Sequence, residues 1–319
     1  MNRPPRESIT APTLLIAGAS GFVGGHVRRE AERRKVDLRL MSHRRPVSPS
    51  VSGPRTVPAD LSDPATLRGV CEGVDILIHC ASRIGGTAEA NEAVNARGTA
   101  ALVTEARRAG VSRIVYLSTT SVYGRGTFRG SRPEELTRNP GSFTSHTRAR
   151  AEDAVLAAGG VVLRPHLVYG EGDMWVGPGV GRLLRTLPGT VAGWPSRMSL
   201  IAVRELAGLL VATALAPASA LTASVYHAAH PVPVTAEALL RALAGCIGTP
   251  WAERELTVEQ ARAVLAENDQ DLSALDMLTT DHVFDSTPLW ADVRSDPGAG
   301  FDHDFRHTAH WYRRTLQST

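Results

Sequence analysis

Three glycines follow the first apolar segment of the chain at intervals of three residues. The segment TLLIAG ends at Gly18, and Gly21 and Gly24 come next within GASGFVG, where the helical pattern GFVGGHVRREAERR begins. A short apolar run that ends in glycine predicts a buried strand. Glycine at a strand-to-helix junction allows a tight turn, close approach of the backbone to a ligand, and close packing of the helix on the strand. The spacing therefore predicts a strand, a tight turn and a helix in direct succession.

Strand-like and helical segments alternate along the first half of the sequence. The strand-like runs are TLLIAG, VDLRLMSHRR, TVPADL, VDILIHCAS, SRIVYLSTTSV and VVLRP. Helical spacing lies between them in GFVGGHVRREAERR, DPATLRGVCEG, NEAVNARGTAALVTEARRAG and SHTRARAEDAVLAAGG. Strands that alternate with helices of this length predict crossover units and a parallel sheet covered on both faces. We therefore expect an α/β fold built on a Rossmann-type, doubly wound parallel sheet.

This context gives the glycine turn a function. The spacing G-x-x-G-x-x-G is a variant of the G-x-G-x-x-G fingerprint, in which a pyrophosphate sits at the positive end of a helix. A purely structural turn would explain three glycines equally well, but their place after the first strand of an alternating pattern favours dinucleotide binding. The residues expected to contact the cofactor here are Gly18, Ser20, Gly21, Phe22, Val23 and Gly24.

The end of the second strand indicates which dinucleotide is bound. NAD-selective sites usually place a carboxylate there, about 20 residues after the first glycine, to hold the ribose hydroxyls. This chain has His43, Arg44 and Arg45 instead. Arginine grips a phosphate through paired hydrogen bonds, so we expect NADPH, with NADH as the alternative. A solvated basic loop without a ligand is the other interpretation of these residues.

The alternating pattern breaks after residue 172. Residues 170–198 are rich in Gly, Pro and Trp, and the rest is helical with short strands such as SVYHAAH. We expect a dinucleotide-binding domain over residues 1–172 and a smaller, mostly helical substrate-binding lobe over 173–319. Part of residues 199–228 is expected to return to the sheet. Two such lobes predict a cleft between them.

Composition excludes several classes of protein. The net charge is only +3 and the arginines are scattered among carboxylates, which argues against nucleic-acid binding. The cysteines Cys71, Cys80 and Cys246 form no C-x-x-C pair, so we expect neither disulfides nor a metal site. No run of about 18 apolar residues appears, and MNRPPRESITAPT lacks the apolar core of a signal peptide, so we expect a cytoplasmic protein without membrane partners. Lys35 is the only lysine.

The motifs from Thr13 to Gly172 resemble the extended short-chain dehydrogenase/reductases, which include nucleotide-sugar epimerases and dihydroflavonol-type reductases. The resemblance rests on PADLSDPATLRGVCEGVDILIHCAS, on NARGTAALVTEARRAGVSRIVYLSTTSVYG and on VVLRPHLVYGEGD, which follow in the family's order. It implies that Asp60 meets the adenine and that a small-residue turn passes the adenosine. The further cofactor-binding residues that it implies are Asp60, Leu61, Cys80, Ala81, Ser82, Asn95, Ser118, Arg148, Pro165, His166 and Val168.

The same resemblance locates the catalytic positions. The family's catalytic serine or threonine falls on Thr119, its tyrosine on Thr144 and its lysine on Arg148. None of the tyrosines, at positions 116, 123, 169, 226 and 312, has a lysine or arginine four residues later. The tyrosine–lysine dyad is therefore absent and not shifted in register.

The exchange changes the chemistry. An aliphatic hydroxyl such as that of Thr144 is a far weaker acid than a phenol, whose pKa is about 10. Arg148 can hold the ribose but stays protonated, so it cannot relay a proton. We therefore expect an activated ketone as substrate, with a neighbouring phenol of the substrate supplying the proton. His146 and His166 are the alternative acids within the protein.

Within the family the chain resembles the atypical ketoreductases of simocyclinone biosynthesis, and this resemblance implies an aromatic polyketide substrate of the angucyclinone type. The residues expected to contact it are Ser82, Thr120, His146, Tyr169, Trp175 and Trp194. A non-catalytic NAD(P)-binding sensor is the second interpretation. A sugar-nucleotide epimerase is disfavoured because that reaction needs the missing tyrosine. A homodimer is an open expectation.

Overall fold

The computed structural model describes residues 11–34, 36–43 and 54–316. Its strands are β1 (Thr13–Ala17), β2 (Asp37–Ser42), β3 (Arg55–Pro58), β4 (Ile76–His79), β5 (Arg113–Leu117), β6 (Phe128–Ser131), β7 (Val161–Arg164), β8 (Leu167–Tyr169), β9 (Thr190–Val191), β10 (Arg197–Met198), β11 (Leu200–Ala202), β12 (Val225–His227), β13 (Val234–Thr235), β14 (Glu255–Leu256) and β15 (His282–Phe284).

The helices connect and cover these strands. They are α1 (Phe22–Arg33), α2 (Ala88–Asn91), α3 (Thr99–Arg108), α4 (Phe143–Ala157), α5 (Val176–Thr186), α6 (Val203–Leu215), α7 (Ala236–Ile247), α8 (Val258–Glu267), α9 (Ser273–Leu278), α10 (Thr287–Asp292) and α11 (Phe301–Leu316). A π-helical segment, Glu92–Gly98, joins α2 to α3.

A seven-stranded parallel sheet organises the fold, in the order β12-β7-β5-β4-β1-β2-β3. The order reverses at β1, which has β2 on one side and β4 on the other. In open sheets of this kind ligands bind at the carboxyl ends of the strands beside that reversal. The expected doubly wound α/β fold is confirmed, and β12, which lies within residues 199–228, forms one edge of the sheet.

Both faces of the sheet are buried, as in parallel sheets generally. Alternate residues of β1 point to opposite faces, because side chains in a strand have a period of two. Leu14 and Ile16 join one apolar cluster with residues of α1 and α6, whereas Leu15 and Ala17 join another with residues of α3 and α4. The carboxyl ends of β1, β4 and β5 are therefore held between helices on two sides.

Smaller sheets and several helices, here called the second lobe, lie outside the main sheet and include β6 and β8, which precede the expected boundary at residue 173. A four-stranded sheet has the order β13-β10-β15-β6, and two-stranded pairs join β8 to β11 and β9 to β14. A separate apolar core contains residues of α5, α7 and α11, among them Leu183, Leu240 and Trp311. This core is separate from the two clusters on the faces of the main sheet, although Leu289 and Trp290 of α10 join one of those clusters.

One predicted helix is wrong. The segment DPATLRGVCEG forms only a single 3₁₀ turn, Pro64–Leu67, capped by Asp63, whose side chain accepts a hydrogen bond from Ala65 N. Gly69 and Gly73 have φ angles of +84° and +66°. These left-handed conformations interrupt a right-handed helix, so the segment continues as turns.

In the described part of the chain, no helix combines the length and the apolar character that crossing a membrane requires.

Candidate active site

The glycine turn between β1 and α1 is packed against the backbone. Gly18 has a φ of +89°, and a Cβ atom there would lie 2.6 Å from Ala81 N. A Cβ on Gly24 would lie 2.0 Å from Gly18 O, and Gly21 N donates a hydrogen bond to Gly18 O at 3.0 Å. Only glycine fits at Gly18 and Gly24. Helix and strand consequently approach each other as closely as the pyrophosphate-binding fold requires.

The start of α1 is free to receive an anion. Gly21 is the N-cap residue, and no side chain of the described residues forms a capping hydrogen bond there. The first amides of a helix lack partners within the helix and carry a partial positive charge. Together with the glycine packing, this open helix end fits the pyrophosphate of a dinucleotide. Ser20 lies in the glycine turn, and Phe22 and Val23 are the first two residues of α1.

The expected adenosine end is formed by residues that follow β2 and β3. His43 Nε2 lies 2.7 Å from Asp60 Oδ2. Asp60 Oδ1 accepts hydrogen bonds from Ser62 N at 2.8 Å and Ser62 Oγ at 2.7 Å. Leu61 is buried, and its carbonyl oxygen would lie 2.4 Å from a Cβ on Gly98. Arg44 and Arg45, on which the NADPH prediction partly rests, lie outside the described residues.

The small-residue turn after β4 lies against the glycine turn. Cys80 N donates to Ala17 O at 2.8 Å, and Ala81 faces Gly18. Burial raises the pKa of the Cys80 thiol to about 12. Cys80 is therefore a packed, neutral side chain and not a reactive thiolate.

Asn95 fastens the loop after β4 to α4. Its Oδ1 accepts from Arg83 N at 2.7 Å, and its Nδ2 donates to Arg83 O at 2.9 Å and to Thr147 Oγ1 at 3.1 Å. The side chain is 1% exposed. Asn95, expected as a cofactor contact, thus supports the loop that carries Ser82.

Thr144 forms a hydrogen bond inside the protein. Its hydroxyl donates to Asn91 Oδ1 at 3.0 Å. Asn91 is buried, and its Nδ2 donates to Gly85 O at 2.8 Å and to Thr87 O at 2.9 Å. Sequence reasoning missed Asn91, because no motif marks it. The hydroxyl at the tyrosine position therefore connects α4 to α2.

Arg148, at the lysine position, is only 7% exposed. One terminal nitrogen donates to Ser82 Oγ at 3.1 Å, and the other donates to Leu117 O. Its guanidinium carbon lies 5.7 Å from the centre of the Tyr116 ring. Nε of Arg148 has no hydrogen-bond partner in the described structure. A buried cation with an unfilled donor fits the ribose and charged groups of a dinucleotide.

His79 lies beside this cation at the end of β4, paired in register with Tyr116 of β5. The imidazole is fully buried, and Nε2 is hydrogen bonded with Thr99 Oγ1 at 2.9 Å. Burial, and then the charge of Arg148, lower its pKa to about 3. His79 is therefore neutral near pH 7.

The chain after β5 carries the remaining expected hydroxyls. Thr119 Oγ1 accepts from Ser121 N at 3.1 Å, and Thr119 is partly buried. Ser118 Oγ donates to Glu152 Oε1 at 2.5 Å, so its side chain points towards α4. Thr120 N donates to Pro165 O at 2.9 Å, which ties this segment to the end of β7.

His166 forms a stacked pair with His282. The ring centres are 4.9 Å apart and the planes differ by 9°. His166 Nδ1 lies 3.0 Å from Thr120 Oγ1, within hydrogen-bond distance. Burial, together with the charges of His282 and His227, lowers the pKa of His166 well below its usual value. His166 is therefore neutral near pH 7 and is a poor general acid.

The other expected substrate contacts lie in different surroundings. His146 is exposed on α4 and lines a surface depression of about 400 Å³ with Phe143 and Arg150. Trp175 is 59% exposed at the start of α5. Tyr169 and Trp194 are each 2% exposed in the core of the second lobe. Ser82 is hydrogen bonded to Arg148, and Thr120 lies within hydrogen-bond distance of His166. Val168 of β8, expected as a cofactor contact, is partly buried.

A buried network that sequence reasoning missed supports α4. Glu152 is fully buried and accepts from Arg164 Nε at 2.8 Å. Arg164 also donates to the Tyr123 hydroxyl at 2.7 Å, which lies 2.8 Å from His227 Nε2. No local pattern in the sequence indicates that Glu152 contacts Arg164 of β7.

Among the described residues no group of three or more His, Cys, Asp or Glu side chains is arranged to hold a metal ion. The candidate site consists of the glycine turn, which we call the glycine cradle, the N-terminal end of α1 and the buried Arg148. This combination fits a dinucleotide, and the tyrosine position holds Thr144 in place of a phenol.

Comparison with known proteins agrees with this arrangement. The model of the NAD dependent epimerase/dehydratase family matches residues 14–213. The chain is 27% identical over 262 residues to the 2-alkyl-3-oxoalkanoate reductase of Stenotrophomonas maltophilia, covering 78% of this chain and 79% of the relative. It is 28% identical over 170 residues to the 4-hydroxy-2-methyl-3-oxo-4-farnesyl-3,4-dihydroquinoline-1-oxide ketoreductase of Stigmatella aurantiaca, covering 50% of this chain and 51% of the relative.

Solved structures share the fold over nearly the whole chain. The Bordetella bronchiseptica enzyme WbmH, in complex with NAD+, has a TM-score of 0.74 at 18% identity, covering 96% of this chain and 99% of that chain. At this identity the likeness shows the fold alone. The family match covers more than half of the sequence, and the chain belongs to the NAD dependent epimerase/dehydratase family.

Proposed function

We propose that the chain is an NADPH-dependent ketoreductase that reduces a carbonyl of an aromatic polyketide of the angucyclinone type. A phenol of the substrate, adjacent to the carbonyl, supplies the proton. The observation that carries the proposal is the pair of dyad positions on α4. Thr144 donates its hydroxyl to Asn91, and Arg148 is a buried cation bonded to Ser82 and Leu117.

The relatives support reduction of a ketone as the reaction class. The names of two of them, the 2-alkyl-3-oxoalkanoate reductase and the dihydroquinoline-oxide ketoreductase, describe reductases of oxo compounds. The proposal that the substrate is an aromatic polyketide rests on the absent dyad and on the family resemblance.

The residues that would hold the cofactor are those of the glycine turn, with Arg148 at the ribose. NADPH, when bound, supplies the hydride. Arg148 would orient the ribose through charge-assisted hydrogen bonds. The basic segment that begins at His43 favours NADPH over NADH.

Three buried side chains near the dyad positions, His79, His166 and Tyr116, are poorly suited to protonate the new alkoxide. Burial keeps His79 and His166 neutral. The pKa of Tyr116 is raised by burial, and the ring is 1% exposed within the core beneath α4. A substrate hydroxyl next to the carbonyl forms an internal O–H···O=C hydrogen bond, which polarises the carbonyl and offers a proton of tyrosine-like acidity.

Magnitudes make such a reaction feasible for an activated ketone. A missing general acid lowers the rate by a factor on the order of 10²–10⁴. Holding two reactants in a reactive geometry contributes roughly 7–11 kcal/mol to lowering the barrier. Positioning therefore outweighs the missing acid when the substrate itself polarises its carbonyl.

The test compares an aromatic ketone carrying a neighbouring hydroxyl with its methyl ether, following loss of NADPH absorbance. We expect the methyl ether to be reduced more slowly by a factor on the order of 10²–10⁴. Equal rates for the two compounds would refute substrate-assisted protonation. NADPH binding without consumption by any such ketone would instead support the sensor and refute the reductase.

A further inference from the structure

A tight turn, residues 170–173, connects β8 to the segment that leads into α5. Gly170 and Gly172 have φ angles of +132° and +97°. Asp173 N donates to Gly170 O at 3.0 Å, which closes the turn. Both glycines adopt conformations that side chains rarely tolerate, so the path of the turn is specific.

One side of this turn lies on the start of α1. A Cβ on Gly172 would be 3.1 Å from Cδ2 of Phe22, the first residue of the helix. One turn further along α1, His26 Nε2 donates to Glu171 O at 2.9 Å. The turn therefore contacts the helix end that carries the open amides of the glycine cradle.

The other side of the turn is held by the C-terminal helix. The Tyr312 hydroxyl accepts a hydrogen bond from Gly170 N at 2.9 Å and donates one to Asp173 Oδ2 at 2.9 Å. Tyr312 is 1% exposed and Asp173 is fully buried. A single hydroxyl thus bonds the first and last residues of the turn.

Asp173 is simultaneously the cap of α5. Its Oδ1 accepts from Trp175 N at 2.8 Å and from Val176 N at 2.9 Å, and its Oδ2 accepts from Gly177 N at 2.7 Å. A side chain that accepts these amide hydrogens fixes the first turn of a helix. The carboxylate is therefore held both by the amides at the start of α5 and by Tyr312.

The Tyr312 ring is held independently of its hydroxyl. Phe305 stacks on it with ring centres 5.4 Å apart and planes 10° apart. A Cβ on Gly177 would lie 2.4 Å from Tyr312 Cε1. Removing the hydroxyl alone therefore leaves a packed ring in place.

We infer that Tyr312 is a positioning residue for the dinucleotide, acting through the Gly170–Asp173 turn on Phe22 and the cradle. We call Gly170, Asp173 and Tyr312 the clasp. Without the two hydrogen bonds the turn samples other conformations, and the apparent affinity falls with the fraction of molecules whose cradle is competent. The inference depends on dinucleotide binding by the family and not on the ketone.

The test is Tyr312→Phe, with Tyr226→Phe as a matched control. The Tyr226 hydroxyl also accepts from a backbone amide, Ala223 N at 2.7 Å, and donates to an aspartate, Asp292 Oδ2 at 2.6 Å. Tyr226 is 2% exposed and lies in β12 at the sheet edge. The two variants lose the same kinds of bonds, but only Tyr312→Phe affects the turn on α1.

The measurement is the Kd of NADPH for the enzyme without substrate, with NADH in parallel. Loss of two hydrogen bonds predicts a Kd about five- to tenfold higher in Tyr312→Phe. Tyr226→Phe is expected to stay within about twofold of the wild type. In turnover assays KM for NADPH rises and kcat at saturating NADPH is retained. An unchanged Kd together with a Tm loss like that of Tyr226→Phe means that Tyr312 is only structural, which overturns the inference.

A measurement on the wild-type protein covers the case in which Tyr312→Phe fails to fold. Coupling between two sites is reciprocal, so a clasp that favours NADPH must itself be stabilised by NADPH. We expect NADPH to slow hydrogen exchange at the amides of Gly170 and Gly177 at least about threefold more than at Ala223 N. Equal protection at all three amides contradicts the clasp, whether or not any ketone is reduced.

Discussion

Two buried charges one turn apart on α4, Glu152 and Arg148, have opposite surroundings. Glu152 is surrounded by donors: Arg164 through two nitrogens at 2.8 and 2.5 Å, Arg138 at 3.3 Å, and Ser118 at 2.5 Å. Its charge is neutralised within the protein, and each oxygen accepts hydrogen bonds. Buried ion pairs are tolerated when the geometry satisfies both partners in this way.

Arg148 has no such neutralisation. Its bonds go to a neutral hydroxyl of Ser82 and a neutral carbonyl of Leu117, and Nε is left without a partner among the described residues. A buried cation without a counter-charge destabilises a protein. A bound ligand can offset this cost by supplying the missing hydrogen-bond partners and a compensating charge. Glu152 is therefore compensated within the protein, whereas Arg148 lacks a counter-charge among the described residues, and under the proposed function the dinucleotide would supply its missing partners.

The largest expected loss of stability comes from removing Glu152. Glu152→Ala leaves Arg164 buried and unpaired, so we expect a loss of about 3–5 kcal/mol in the free energy of unfolding. Urea denaturation measures it. The control is Asp153→Ala, which removes a 58% exposed partner of Arg138 and is expected to cost less than about 1 kcal/mol. Equal losses in the two variants would show that the Glu152 network is not a special support of α4.

Replacing Arg148 is expected to weaken NADPH binding without lowering the stability of the protein. Arg148→Met removes charge-assisted hydrogen bonds worth about 1.5–3 kcal/mol to a bound ligand, so the NADPH Kd should rise at least about tenfold. The free energy of unfolding should stay equal or increase, because an uncompensated charge leaves the interior. Isothermal titration and urea denaturation give both numbers. Arg150→Met, at a 62% exposed position paired with Glu92, is the control.

A large loss of stability with unchanged NADPH affinity in Arg148→Met would reverse the comparison. The two charges of α4 would then have the same structural role, and the ribose would be held by other residues.

Two buried histidines make stability depend on pH: His79 beside Arg148, and His227, which contacts the Tyr123 hydroxyl of the Glu152 network. Burial, followed by the charge of Arg148, lowers the pKa of His79 to about 3, and burial is the main cause that lowers the pKa of His227 to about 4. Both are neutral in the folded protein and take up protons near pH 6.5 when unfolded. Their stabilisation is therefore present above about pH 6.5 and is lost as the pH falls towards the folded-state values.

Each histidine is expected to contribute a loss of about 1.4 kcal/mol per pH unit in this window. Unfolding of wild type and His79→Asn between about pH 6 and pH 4.5 measures the contribution, since the variant should show a slope smaller by that amount. An unchanged slope would show that His79 is not held neutral beside Arg148.

The sequence predicted the sheet because strand and helix alternation is a local signal. The family resemblance located Thr144 and Arg148 four residues apart at the dyad positions, and the structure has both on α4, which begins two residues before the predicted helix. The helix predicted over DPATLRGVCEG is wrong because Gly69 and Gly73 adopt positive φ angles, and a sequence does not show whether a glycine will do so.

The contacts of α4 were beyond prediction for a different reason. Asn91 meets Thr144 across 53 positions, and Arg164 meets Glu152 between a strand and a helix. Such pairs depend on how helices and strands pack in three dimensions. Hydrophobic periodicity and motif spacing along the sequence do not reveal that packing. The cofactor and substrate roles assigned to individual residues therefore stay predictions that the variants described here test.

The smallest expected effect concerns Thr144. Thr144→Val keeps the shape of the side chain and removes the donor to Asn91 Oδ1, which still accepts from Asn95 Nδ2 at 3.3 Å. We expect a loss of about 1 kcal/mol in the free energy of unfolding and a kcat within about twofold of wild type. Thr147→Val, which removes a buried hydroxyl on the same helix, should behave alike. A proton donor at Thr144 would instead lower kcat on the order of 10²–10⁴, and that result would make the two dyad positions catalytic after all.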